Sequence, residues 1–433
     1  MAATYANVQA NFKVRYGRWI DPLPDDHTLA DFGQFVTQDS RPGLNYNFPV
    51  LTGIEGGQTA NVDNSAFTIN PAIDSQVKLA TLDGATILMQ AVLSYDTIYK
   101  GLNGAGNGPS GGAFKTALDQ AVESLLMGAA LYRELALAYG PGTSTAISSN
   151  IGVVEASVSG ANLAAPQVVR LFLTSWIPGL WIMVQNHLFD IYQADGTTVR
   201  DTGVTLQARP STTQTRLQLF KTASVAVVAA NDQIVPQGWR LKSCFGLEAI
   251  YNNATTLFGI DASTVAPWRC MTFNAGGQLT RAKLMGYGAA ISTNGVKTGG
   301  KLFVVSYSFA DLAEESNTLR QFITDNSVRR QGASELVYVT ACGEITVAVY
   351  QYAKAGQAMF IATDNFKRVG STDITMRPIG GGAQGFFTHS TTTAGAQIKC
   401  FSNQAPVFEM PFRNFLITGI VNSVGTSGAP VSS

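Results

Sequence analysis

The sequence is short of charge. Among 433 residues, 29 Lys+Arg offset 29 Asp+Glu, and charged residues are 13% of the chain, about half the 25% usual in soluble domains. Like-charge repulsion keeps soluble proteins apart, and a neutral, charge-poor chain has little of it. The composition therefore points to a protein meant to associate. No run of Lys and Arg is present to release counterions from a nucleic-acid backbone, which argues against a dedicated DNA reader.

Other absences close further classes. The four cysteines, Cys244, Cys270, Cys342 and Cys400, include no C-x-x-C pair, so neither a zinc site nor a disulfide framework is signalled, and buried reduced thiols are expected. The three histidines, His27, His187 and His389, never stand at H-x-x-x-H spacing, which leaves no helix face with two metal ligands. No apolar stretch follows the first charges, as a secretory signal would require. The most apolar run, Leu171 to Val184, is broken by Pro178-Gly179 and falls short of the ~20 residues that cross a bilayer. It reads as core.

What is present reads as a series of parts. Residues 1–70 scatter single aromatics (Phe12, Tyr16, Trp19, Phe32, Phe35, Tyr46, Phe48) among proline and glycine breaks, the pattern of an extended arm anchored on another surface. Val77 to Tyr99 suggests two strands around an Asp83-Gly84 turn, a long hairpin. Gly101 to Gly112 has few side chains able to pack and reads as a hinge. Phe114, Leu118, Ala121, Leu125, Gly128, Tyr132, Leu135 and Tyr139 then recur at helical spacing until Gly140-Pro141-Gly142, predicting a helix about 40 Å long.

Residues 150–240 predict short strands at Val153–Val158, Phe189–Gln193, Val204–Ala208, Leu217–Phe220 and Val225–Val228, with a turn at Asp195-Gly196. Beyond 241 the signals mix: helices at Leu247–Tyr251, Gln278–Gly288 and Phe309–Phe322, and strands at Leu302–Val305, Ala396–Cys400 and Phe415–Ile420. That combination is α+β. The small, polar residues after Ile420 predict a frayed end.

Catalytic motifs fail on inspection. Gly106-Asn-Gly108-Pro-Ser-Gly111 spells a dinucleotide fingerprint, but no second βα unit and no acidic residue follow at the required distance. Gly295-Val-Lys-Thr-Gly-Gly300-Lys301 resembles a phosphate loop, yet Leu302 stands where a Ser or Thr would hold magnesium, so a turn is expected. No G-x-S-x-G elbow occurs. Asp25-Asp26 and Glu314-Glu315 sit in polar surroundings and read as solvated faces. No catalytic, cofactor-binding or metal-ligating residue is assigned.

Arm, hairpin, hinge, long helix and β-rich bodies suit an interlocking subunit, and their order resembles the major capsid protein of tailed bacteriophages, in the Hong Kong 97-like fold. The words that carry the resemblance are Leu257-Phe-Gly-Ile-Asp261 leading to Pro267-Trp268-Arg269; Lys301 to Leu312 followed by Leu319-Arg-Gln-Phe322; Phe366-Lys-Arg-Val-Gly370-Ser-Thr-Asp373; and Phe415 to Ile420. The resemblance implies an N-terminal arm (1–70), an extended loop (71–112), a peripheral domain with a spine helix (113–150), an axial domain (241–385), and closing strands with a C-terminal tail (386–433). Residues 151–240 depart from the plain pattern as a β-rich segment or insertion.

The function implied is a non-enzymatic coat protein that self-assembles, as pentamers and hexamers, into an icosahedral shell around double-stranded DNA. Expected partners are copies of itself, a portal, a separate scaffolding protein, in some cases a decoration protein, and packaged DNA through weak non-specific contact, with no membrane and no cofactor. Its place is the virion, and the host cytoplasm during assembly. Lys78 and Lys100 flank the loop that in some relatives is covalently joined to a neighbour, but nothing marks an Asn partner or a Glu base, and solvated lysines are expected. Two other classes stay open: a β-rich phage tail or receptor-binding protein, which repeats would favour, and an enzyme whose site carries no motif.

Overall fold

The computed structural model describes residues 28–37, 46–61, 69–82, 84–94, 109–142, 149–210, 215–320, 336–375, 388–389 and 395–422. The first described elements are helix α1 (Thr28–Phe32) and strands β1 (Gln34–Thr37), β2 (Tyr46–Gly53), β3 (Gln76–Leu82) and β4 (Ala85–Ser94). Helix α2 (Pro109–Tyr139) follows. Next come β5 (Gly152–Ser159), β6 (Gln167–Leu171), α3 (Leu180–Met183), β7 (Leu188–Tyr192), β8 (Val199–Ala208), β9 (Arg216–Phe220) and β10 (Gln233–Pro236).

The second half holds α4 (Leu247–Tyr251), β11 (Thr256–Leu257), β12 (Ile260–Asp261), β13 (Met271–Gly277), α5 (Arg281–Ser292), β14 (Gly300–Val304) and α6 (Ser306–Arg320). It closes with β15 (Leu336–Thr340), β16 (Gly343–Val349), β17 (Ala358–Ala362), β18 (Phe366–Thr375), β19 (Thr388–His389), β20 (Gly395–Phe408) and β21 (Phe415–Ile420). The class is α+β, as expected.

Helix α2 runs 31 residues, about 46 Å at 1.5 Å per residue, and stops at Gly140. Pro109 occupies its first position, where a missing N–H costs nothing. The glycine stretch thus contributes its last four residues, Pro109 to Gly112, to the first helical turn; the rest of that proposed hinge, 101–108, lies outside the described residues. Leu125 and Ala129 pack with Ile398 and Cys400, laying the helix across the β4–β20 ribbon. Its last turns, Leu135 to Tyr139, are buried.

The expected hairpin is corrected. β3 and β4 do follow one another closely, with Asp83 outside the described residues, but they do not pair. β3 pairs antiparallel with β2, Tyr46 opposite Leu82, while β4 pairs with β20 along its whole length. β4 thus lies against β20 under α2, whereas β3 is paired with β2 alone and stays exposed from Gln76 to Leu79. Residues 1–70 are likewise not one extended arm: α1 buries Leu29 and Ala30, β1 joins β18 in parallel, and Phe32 meets Phe303 and Phe366 at 5.5 and 6.4 Å. Residues 1–27 lie outside the described residues.

Strands β10-β5-β6-β9-β8-β7 close into a six-stranded barrel. Alternate residues turn inward, as in β9, where Leu217 and Leu219 are buried between Arg216, Gln218 and Phe220, the period-two pattern of a strand with one face in a core. Closure removes free edges. Four of the five expected strands here are found; Val225–Val228 is not one, and β6 and β10 were missed. The Asp195-Gly196 turn is present, with Gly196 at φ 66.

A second sheet, ordered β13-β21-β17-β14-β16-β15, carries α5 and α6. Its central strand β17 is buried throughout, which explains an apolar run, AMFIA, without alternation. Residues 423–433, where a frayed end was expected, lie outside the described residues.

Candidate assembly interface

The least supported element is the β2–β3 hairpin. Its base is fixed: Thr81 N donates to Phe258 O at 2.9 Å, Phe48 stands 6.2 Å from Trp268, and Ala80 and Leu82 are fully buried. Pro49 is paired with Leu79 and Leu51 with Val77, so these four side chains share one face. That face is open to solvent, with Leu51 58% exposed. Beyond it the tip carries Ile54, 82% exposed, with Ile69 and Ile73 also exposed.

The tip is nonetheless ordered from within. Asn70 N and Nδ2 donate to Thr59 Oγ1 and Gln58 O at 2.9 and 2.8 Å, and Gly56 bridges Ile73. A two-stranded ribbon by itself is marginal in water, and contiguous exposed apolar surface of this kind marks an interaction site.

Behind the hairpin the body is stiffened by buried polar contacts on α2. Glu134, wholly buried, accepts from Ala30 N at 2.9 Å and from Tyr350 Oη at 3.3 Å. Arg133 reaches Asp373 at 3.1 Å and Arg368 reaches it at 3.0 Å. Burial works against charge on Asp373, but the two guanidinium groups outweigh it and hold the carboxyl below its usual range. At the helix end, Tyr139 Oη donates to Tyr352 O at 2.6 Å, and Lys354 pairs with Glu248. Helix, first strands and second sheet are thus tied at one junction.

The barrel meets the same helix through an aromatic contact: Tyr132 Oη lies 2.6 Å from His187 Nδ1, and Trp239 sets its edge on the Tyr132 ring at 5.7 Å. Burial lowers the His187 pKa and raises that of Tyr132, so a neutral imidazole accepting a hydrogen bond from the protonated phenol is favoured. This is a packing role. His389 falls in β19 and His27 outside the described residues; among the described residues no three His, Cys, Asp or Glu converge as metal ligands.

All four cysteines are free and buried, as expected; desolvation pushes the Cys244 thiol up to about 12. The Gly295–Lys301 stretch is a turn into β14: Gly299 adopts φ 73 and its N–H is already spent on Cys342 O at 2.8 Å, so it offers no cradle for phosphate. Glu315 does more than face solvent, since its carboxylate accepts from Arg281 N at 2.7 Å and caps α5. Asp25-Asp26, Gly106 and Gly108 lie outside the described residues.

Lys78 stands opposite Val50 in the hairpin. Hydrogen bonds from Ser263 hold the Asp261 carboxyl below its usual range, and the charge of the Lys78 ammonium adds a smaller effect. Lys100 lies outside the described residues. Sequence reasoning missed β2 as the hairpin's other strand, although the alternation of Phe48, Val50 and Thr52 with Asn47, Pro49 and Leu51 was legible. Among the described residues no helix is long and apolar enough to cross a membrane.

No protein-family model matches the sequence, and a search by sequence among curated proteins finds no match. Among solved structures, the chain is similar to a subunit of the cyanophage A-1(L) capsid asymmetric unit, at 12% identity and a TM-score of 0.47, over 93% of this chain and 95% of that one. It is similar also to the capsid of Myoviridae phage XM1, at 9% identity and a TM-score of 0.44 over 93% and 95%, and to the capsid of a native GTA particle, at 8% and 0.40 over 94% and 95%.

Proposed function

We propose that this chain is the major capsid subunit of a tailed phage, a structural protein that assembles with copies of itself into a closed shell around double-stranded DNA. The observation that carries the reading is the β2–β3 hairpin: an ordered, two-stranded projection whose apolar face, Pro49, Leu51, Val77 and Leu79, is exposed and packs on nothing among the described residues. Full burial of a Leu or Val side chain stabilises by about 1.5–3 kcal/mol. Repeated over every copy of a shell, such contacts sum to a large association energy.

In this reading the hairpin is the extended loop and α2 the spine helix of the peripheral domain. The β13–β21 sheet with α5 and α6 forms the axial domain, and the barrel is an insertion between them. A chain with formal net charge +0 lets like surfaces approach, where rims of one sign would repel at every repeated contact. Pentamers and hexamers, a portal, a separate scaffolding protein, a decoration protein and weakly held DNA are the partners this role requires or admits. The virion, and the host cytoplasm during assembly, are its proposed places.

Electron microscopy of the purified protein, expressed alone and with its scaffold, tests the reading. Closed polyhedral shells are expected. Trimeric rods would instead favour a tail or receptor-binding protein, and discrete monomers at high concentration would overturn the proposal.

A further inference from the structure

Close to the root of the hairpin, between the 3-10 turns at Ala266–Trp268 and Pro411–Arg413, lies a depression of about 420 Å³. Ala262, Ala266, Met271 and Phe412 give it an apolar floor, and Arg269 stands on its wall. Asn294 braces the floor, donating to Phe412 O at 3.0 Å. The Arg269 side chain is exposed and forms no hydrogen bond or ion pair among the described residues. Arg413 adds a second positive charge, its guanidinium 5.8 Å from the Phe412 ring.

The hairpin tip is the complement of this site in both respects. The described residues 51–61 and 69–77 carry Glu55 and Asp74 and no Lys or Arg. Glu55 follows Ile54, the more exposed of the tip isoleucines, and the Gly56–Ile73 bridge brings the Ile54-Glu55 and Ile73-Asp74 pairs alongside each other. Glu55 too has no partner among the described residues. An apolar knob beside a carboxylate is one half of a contact; an apolar hollow beside an unpaired guanidinium is the other.

The two halves cannot meet within one copy. The ribbon is anchored at Phe258 and Trp268, next to the depression, and its paired strands carry the tip about 20 Å away at ~3.3 Å per residue. Folding the tip back would break the β2–β3 ladder.

We propose that the hairpin tip of one subunit seats in this depression on a second copy of the chain, Ile54 on the apolar floor and Glu55 paired with Arg269. The contact joins two different patches, so it is head-to-tail, the kind of contact that builds a ring when its rotation closes. This rests on the shell reading above and adds to it the place where the tip lands and the charge pair that fixes its register.

The test uses assembled full-length protein. Because the native cysteines are buried, the double variant Ile54→Cys/Ala266→Cys can be treated with bis-maleimidoethane and run on denaturing gels. A ladder from dimer to closed ring is expected, absent in either single variant. In parallel, Arg269→Glu should weaken each subunit–subunit contact about tenfold, the equivalent of about 1.4 kcal/mol, read as a higher protein concentration needed for assembly, and Glu55→Arg/Arg269→Glu should restore it. Normal shells with no ladder, or normal assembly of Arg269→Glu, would overturn the seat and leave the shell reading standing. Wild-type protein that forms no shells at all would overturn both.

Discussion

Lys354 Nζ donates to both carboxylate oxygens of Glu248, at 2.6 and 2.7 Å, where the two side chains are only 3% and 6% exposed. Ser149 Oγ and Gln357 Nε2 complete the carboxylate's shell at 2.6 and 3.0 Å, and the ammonium lies 4.8 Å from the Tyr139 ring. The pair joins α4, the end of α2 and the loop before β17. Truncating one partner of such a pair strands a buried charge, at about 3–5 kcal/mol. Glu248→Ala should destabilise the unassembled subunit by that order in urea unfolding, whereas Glu248→Met/Lys354→Met, which removes both charges, should cost clearly less.

Gly140 and Gly246 bring two backbones together behind that pair. Gly246 N donates to Gly140 O at 2.9 Å, and a Cβ on Gly140 would stand 2.3 Å from Cys244 O, one on Gly246 2.3 Å from Gly140 N. The obstacles are backbone atoms and cannot rotate away. Gly140→Ala or Gly246→Ala should each lose about 1–3 kcal/mol, read as a lower melting temperature, while Gly286→Ala, with nothing within 4 Å, should not.

Asp373 sets an acid limit on the junction of α2 with β18. Its folded pKa is depressed, with Arg133 and Arg368 overcoming the cost of burial. The unfolded state therefore binds its proton first as pH falls. The contribution is complete above the unfolded value of about 3.9 and is lost as pH drops from there through the folded value. Asp373→Asn should be less stable at neutral pH and show a shallower loss of stability on acidification below about pH 4, followed by tryptophan fluorescence.

His187 sets a milder one between barrel and spine. Burial lowers its pKa, so the fold favours the neutral ring that faces Tyr132 Oη. That preference is fully present above the unfolded value of about 6.5 and fades as pH falls below it. The melting temperature of wild type should fall more between about pH 7.5 and about pH 5 than that of His187→Phe, which cannot titrate.

Much of this was legible in the sequence because it is local. The period of Leu118, Ala121, Leu125 and Tyr132 marks a helix wherever it lies, and Gly140-Pro141-Gly142 ends it by backbone chemistry alone. Alternation at Leu217–Phe220 and the Asp195-Gly196 turn made strands and a bend recognisable before any partner was known. Low charge and scattered cysteines fixed the class of protein that was worth considering.

Pairing was not legible, because alternation states that a strand has two faces and is silent on which edge it joins. Val77 to Leu82 and Ala85 to Ser94 look like a hairpin, yet the first is held by Tyr46 to Gly53 and the second by Gly395 to Gln404, partners some three hundred residues away in the latter case. Only the packed chain compares those alternatives, since the burial that decides between them is a sum over contacts remote in sequence. For the same reason the hollow by Arg269 has no sequence signature: Ala262, Met271, Asn294 and Phe412 become neighbours through the tertiary fold alone.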